Sequence, residues 1–161
     1  MSGARRTGAL LVILATLVAS RAMADTRLAV IANPATAAPY DRQQLADIFL
    51  GNLRIDDQGR RIVAVNLPSA DPLRGAFSQA VLNNSPDDLE AYWNERYFHG
   101  ISPPYVVASV EAMLRFIAAT PGAIGYVPGC AVDARVAVIT AIDVPDLPHS
   151  PCKATPPHSR P

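Results

Sequence analysis

Four short apolar runs set the limits on what this chain can fold into. RLAVIAN (27–33), IVAVNL (62–67), AIGYV (123–127) and RVAVIT (135–140) are rich in Val and Ile and show little apolar–polar alternation. A strand of that kind is buried on both faces, whereas a half-solvated strand alternates. Covering both faces of a sheet takes helices, and helical patterns separate the first three runs. The order strand, helix, strand, helices, strand, strand predicts an α/β domain with a layered, mainly parallel sheet flanked by helices. In such sheets ligands gather outside the carboxyl ends of the strands.

The helical segments carry their own boundary signals. YDRQQLADIFLG (40–51) offers Asp41 as a cap, puts Leu45, Ile48 and Phe49 on one face, and stops at Gly51. DPLRGAFSQAVLN (71–83) begins with Asp71 and Pro72 and turns Leu73, Phe77, Ala80 and Val81 to one side. SPDDLEAYWNERYF (85–98) opens on Ser85, Pro86 and a first turn of acids. SVEAMLRFIAATPG (109–122) faces Val110, Met113, Leu114 and Ile117 inward. Tyr92, Trp93, Tyr97 and Phe98 concentrate aromatic area on the third of these helices and read as packing residues.

Candidate ligand-binding residues follow from the strand ends. Asn33 and Asn66 close strands at the expected ligand edge, as solute contacts or as turn residues. Ser69, Ala70 and Asp71 make the turn from the second strand into its helix, where backbone N–H groups favour an anion. Ser69 can donate its hydroxyl. Asp71 can accept the proton of a monoprotonated oxyanion, or simply cap its helix. Arg74 can pair with Asp71 at i,i+3 or reach toward a ligand. Thr120 and Tyr126, before and within the third strand, complete the set. No Ser–His–Asp, Cys–His or paired-carboxylate arrangement emerges, so an enzyme is not expected. Three His residues, two of them at 149 and 158, suggest no metal site, and no cofactor motif is present.

Composition narrows the setting. Lys+Arg and Asp+Glu both total 14, so no net field steers the chain to nucleic acid or to anionic lipid. Much of the hydrophobic excess sits in ALLVILATLVAS, after Arg5 and Arg6 and before Ala22-Met23-Ala24. This predicts a secretory signal over 1–24, cleaved before Asp25, and a periplasmic or secreted protein with no stable membrane insertion after cleavage. An uncleaved anchor is the alternative. Residues 25–142 then form the domain, and the Pro-rich 143–161 reads as a disordered tail. Cys130 and Cys152 are an even pair in an exported chain, which suggests a disulfide. The alternative is two independent thiols.

The stretch LADIFLGNLRIDDQGRRIVAVNLPSADPLRGAFSQAV, followed by ATPGAIGYV (119–127), resembles the phosphate-binding proteins of ABC transporters, in the type II periplasmic binding protein superfamily. Those show a helix ending in IF.G, a strand, a Ser-Gly-Thr-type anion loop opening a helix with a Phe, and a pGAIGY strand. The resemblance implies one lobe of a two-lobed clamp. It also implies weak binding of phosphate or another small oxyanion, in connection with a membrane transporter or sensor. At the loop itself, Ala70 and Asp71 stand where the family has Gly and Thr. A lobe without ligand, acting as a protein-interaction module on a membrane receptor or sensor, is the rival, and a homodimer that rebuilds the clamp is a third reading. The intact mass of protein recovered from the exported fraction should match a chain beginning at Asp25 with both thiol hydrogens lost. A full-length mass from the cytoplasm would refute the export signal, and a reduced mass would refute the bridge.

Overall fold

The computed structural model describes residues 27–144. The expected signal, its cleavage site, Cys152 and nearly all of the expected tail lie outside the described residues.

Five strands form one sheet in the order β3-β2-β4-β1-β5. They are β1 (Arg27–Ala32), β2 (Val63–Asn66), β3 (Tyr105–Val106), β4 (Ala123–Pro128) and β5 (Ala137–Asp143). Four α-helices accompany them: α1 (Arg42–Phe49), α2 (Pro72–Phe77), α3 (Asp88–Phe98) and α4 (Val110–Ala119). The layered α/β architecture is as expected, but the sheet is mixed rather than mainly parallel. β2 runs parallel to both β3 and β4, whereas β1 runs antiparallel to both β4 and β5. The reason is topological. β1 inserts between two strands made much later, and its direction is opposite to theirs. Nothing in a run of apolar residues records that direction.

The burial of β1 and β4 follows their composition, since every residue from Leu28 to Ala32 and from Ala123 to Pro128 is buried. β5 differs. It is an edge strand, and Val138 is half exposed. β3 has only two residues, too few for a sequence pattern to announce.

Gly125 and Tyr126 are adjacent on β4, so they face opposite sides of the sheet. On the Gly125 side lies α4. A Cβ at Gly125 would strike the sulfur of Met113 and come within 2.8 Å of Ile117 Cδ1, so the missing side chain sets how closely α4 approaches. On the Tyr126 side, its ring stacks on Phe77 of α2 at 4.0 Å between centroids, and Phe77 meets Phe49 of α1 at 4.5 Å. These three rings are almost fully buried.

The helix starts are chemically well marked. Asp41 and Gln44 make a reciprocal capping box on α1. Ser109 accepts the Ala112 N–H on α4. Ser85 accepts the Asp88 N–H and donates its hydroxyl to the Asp88 carboxylate, although regular helix begins at Asp88. The expected single helix over 71–83 is α2 followed by a wider π-helical segment, Ser78–Leu82, which ends at Asn83 in the left-handed region with φ 54°.

α3 corrects the packing expectation for its aromatics. Only Leu89 is buried on this helix, while Tyr97 and Phe98 are 67% and 87% exposed. The helix is instead fastened by polar bonds to the end of α1. The Tyr92 hydroxyl donates to the Leu50 carbonyl at 2.7 Å, and Arg96 Nη2 donates to Gly51 O and Asn52 Oδ1.

Pro128 lies beside Leu28, while Ala137 lies beside Ala32 at the other end of β1. The connection 129–136 must therefore travel back along β1 before β5 can start. Arg135 anchors it by donating to both carboxylate oxygens of Glu111 on α4 and to Asp133. Hydrogen bonds from Arg135 and then Arg115 pull the Glu111 carboxyl down to about 2.

Gly122 turns the chain from α4 into β4 with φ +79°, and a Cβ there would collide with the Arg61 carbonyl oxygen. Its own carbonyl accepts the Val63 N–H at 2.9 Å, so this turn joins β4 to β2. Gly122→Ala should cost about 2–4 kcal/mol through backbone strain and the clash. Urea unfolding measures it, and a loss under about 0.5 kcal/mol would contradict the geometry.

Candidate functional site

The eight candidate residues fall into two groups at opposite ends of the sheet. Because β1 runs against β2 and β4, its last residues lie beside the first residues of those strands. Asn33 and Thr120 are therefore at the amino ends of β2 and β4. Asn66, Ser69, Ala70, Asp71, Arg74 and Tyr126 are at the carboxyl end of β2.

Asn33 is a structural bracket. Its Nδ2 donates to the carbonyls of Ile117 and Ala118 at 2.9 and 3.0 Å, closing the C-terminus of α4. Its Oδ1 accepts the Ala35 N–H. The residue is 5% exposed and its side chain is fully engaged. Thr120 is the C-cap residue of α4. The hydroxyl that serves this corner belongs to Thr36, whose Oγ1 accepts the Gly122 N–H at 2.7 Å. Sequence reasoning missed Thr36, and only its position shortly after a strand end hinted at it.

The group at the end of β2 sits on the aromatic layer. The Tyr126 hydroxyl donates to Asn66 Oδ1 at 3.1 Å and accepts the Leu67 N–H at 3.4 Å. Burial pushes this phenol well above its ordinary range, so it stays protonated and works as a donor. Leu67 contributes its carbonyl as well, accepting from Arg74 Nη1 at 2.7 Å. Arg74 is 9% exposed, and its Nε is buried with no hydrogen-bond partner.

Asp71 does what a cap does. Its Oδ1 accepts the Leu73 N–H at 2.8 Å, with Pro72 at the first helical position. The pairing of Asp71 with Arg74 expected from their spacing does not form. Arg74 turns inward to Leu67, because the buried carbonyl at the end of β2 needs a donor, while the half-buried Asp71 carboxylate already accepts the Leu73 N–H. Ser69 and Ala70 form an exposed turn. The chemistry available here is thus a buried guanidinium with no bonded carboxylate, an adjacent capping carboxylate, and a phenol–amide pair beneath them. Among the described residues no group of three or more His, Cys, Asp or Glu is placed to hold a metal ion. No helix among them is long and apolar enough to cross a membrane.

No protein-family model matches the chain, and no curated protein sequence matches it. Solved structures do. An ABC-type phosphate transport receptor from Vibrio cholerae superposes with a TM-score of 0.57 at 21% identity, over 70% of this chain and 45% of that one. A Clostridium perfringens substrate-binding protein assigned to phosphate ABC transport, solved with phosphate bound, gives 0.57 at 17% identity, over 70% of this chain and 44% of that one. PstS from Borrelia burgdorferi gives 0.55 at 16% identity, over 70% of this chain and 46% of that one. This chain shares the fold of a lobe of such proteins and spans less than half the length of each.

Asn33→Ala removes two bonds to the last carbonyls of α4 and one to Ala35. It should cost about 2–3 kcal/mol in chemical denaturation. Thr120→Ala should cost less than about 0.5 kcal/mol. Equal effects would mean that the bracket assigned to Asn33 is wrong.

Proposed function

We propose that this chain is an exported, solute-binding-like domain that holds a small oxyanion such as phosphate weakly at the carboxyl end of β2, in connection with transport or sensing. The observation that carries this reading is Arg74. A guanidinium that is 9% exposed and bonded to no carboxylate leaves an electropositive spot. It occurs in a fold shared with proteins described as phosphate receptors. Asp71 stands over the same spot and neutralises part of it, so the native affinity is low. On this reading the domain is a binder and not an enzyme, it needs no cofactor, and Tyr126 and Asn66 keep the floor of the site rigid. A Cys130–Cys152 bridge and periplasmic or secreted localisation belong to the same proposal.

A second reading has its own support. Tyr97, Phe98, Tyr105 and Val106 are exposed apolar residues at the end of α3 and on edge strand β3. Such residues suit a protein-interaction module that docks on a membrane receptor or sensor.

Calorimetric titration with phosphate and sulfate separates the two. The native protein should bind phosphate in the millimolar range. Asp71→Ala should bind about 10-fold more tightly, because an internal carboxylate no longer competes. Arg74→Met should abolish the response. A native protein and an Asp71→Ala variant that both stay silent would overturn the oxyanion site and leave the interaction module.

A further inference from the structure

Asp71 and Arg74 carry opposite charges three residues apart, yet they do not close on each other. Each is held by a backbone group instead. Arg74 Nη1 donates to the Leu67 carbonyl at 2.7 Å, and Asp71 Oδ1 accepts the Leu73 N–H at 2.8 Å. Side chains at this spacing lie about 5–6 Å apart at Cβ, close enough to pair directly. The two backbone bonds therefore keep the charges apart.

Both groups retain capacity for a ligand. Arg74 is 9% exposed, its Nε is buried without a partner, and its Nη2 donates to no described residue. Nε and Nη2 form one edge of the guanidinium, a fork that matches two oxygens of an oxyanion. Asp71 is half-buried, and its second carboxylate oxygen accepts from no described residue. Asn66 is also buried. Its Oδ1 accepts the Tyr126 hydroxyl, while its Nδ2 donates to no described residue.

These groups surround one point. Leu67 touches both sides of it, since its carbonyl receives Arg74 and its N–H donates to the Tyr126 hydroxyl, whose own proton goes to Asn66. Beyond burial and the Leu67 bond, the Tyr126 phenol responds to Arg74 and to Asp71 in opposite senses, so both charges stand near its hydroxyl. The spot offers donors to a negative group and, beside them, a carboxylate oxygen to a positive one. That carboxylate repels a bare anion and attracts a cation carried on the same molecule.

We infer that the site takes a short zwitterion, a phosphoryl oxyanion joined through two carbons to a primary ammonium: Arg74 and Asn66 hold the oxyanion, and Asp71 holds the ammonium. This rests on the oxyanion reading of the same residues. It turns Asp71 from a competitor of the ligand into half of its site.

Calorimetric titration with 2-aminoethylphosphonate and with ethylphosphonate tests the pairing, because the second has the same phosphoryl group and spacer without the ammonium. The native protein should bind the first at least about 10-fold more tightly. Asp71→Asn keeps a capping oxygen for the Leu73 N–H, so its unfolding midpoint should stay close to native. In that variant the preference between the two ligands should fall to about 1-fold. Equal binding of both ligands by the native protein would overturn the proposal, as would a preference that survives in Asp71→Asn. Phosphate binding by Asp71→Ala, with no preference in the native protein, would leave the oxyanion site standing and remove only the zwitterion. Silence of all three proteins toward every oxyanion would remove both. Sedimentation of the native protein with phosphatidylethanolamine vesicles would place the zwitterion in a lipid headgroup and overturn a free ligand.

Discussion

The stack of Tyr126 on Phe77, with Phe49 against it, is the contact on which the rest of the structure depends. It joins three elements far apart in sequence: the end of α1, the end of α2 and the middle of β4. Aromatic rings bury large areas and pack with defined geometry, so this layer also fixes the positions of what lies above it. The Tyr126 hydroxyl emerges at the end of β2, where it orders Asn66 and Leu67, and Leu67 in turn receives Arg74. The polar group at the end of β2 is therefore an upper storey on an apolar one. The segments IF.G, the Phe of RGAF, and GAIGY, through which the sequence resembles phosphate-binding proteins, are the segments that supply these rings. What makes the chain recognisable is its core as much as any ligand contact.

That explains what could be read from sequence and what could not. Strand positions for β1 and β4 were legible because burial on both faces leaves unbroken aliphatic runs, and β2 showed in the same kind of run although Val63 and Ala64 are only half-buried. Caps at Asp41, Asp71 and Ser109 were legible because capping is local chemistry. Strand direction was not, since an apolar run reads alike in either sense. The error propagated. Strand-end logic puts Asn33 at the same edge as Asn66, yet an antiparallel β1 carries it to the far end, where it closes α4. The fate of Arg74 also lay beyond reach. Spacing suggested a partner on its own helix, whereas the guanidinium goes to the buried carbonyl of Leu67 at the end of β2. Aromatic content misled in one place, because α3 carries more rings than any other helix and yet buries only Leu89.

The two ends of β2 illustrate different ways of handling positive charge. At the carboxyl end, one guanidinium is buried and given a backbone carbonyl. At the amino end, Arg54 and Arg61 are left exposed on the hairpin in which Ile55 bridges Arg61, while the neighbouring Arg60 is neutralised by Asp56. The connection from β4 to β5 shows a third way, with Arg135 shared between Glu111 and Asp133. These settings differ in kind, although charges balance over the whole sequence.

The placement of β1 bears on how the domain comes to be folded. β1 is the first described strand to be synthesised and lies inside the sheet, but both its neighbours come from the far end of the domain: Ala32 pairs with Ile124 on one side and Ala137 on the other. No partial chain can form these ladders, and loop closure over such separations slows the search for them. A chain emerging from the amino end thus keeps its most apolar strand unpaired until β4 and β5 have followed. Assembly is deferred to the last strands. That order makes the far end of the domain the trigger for its closure.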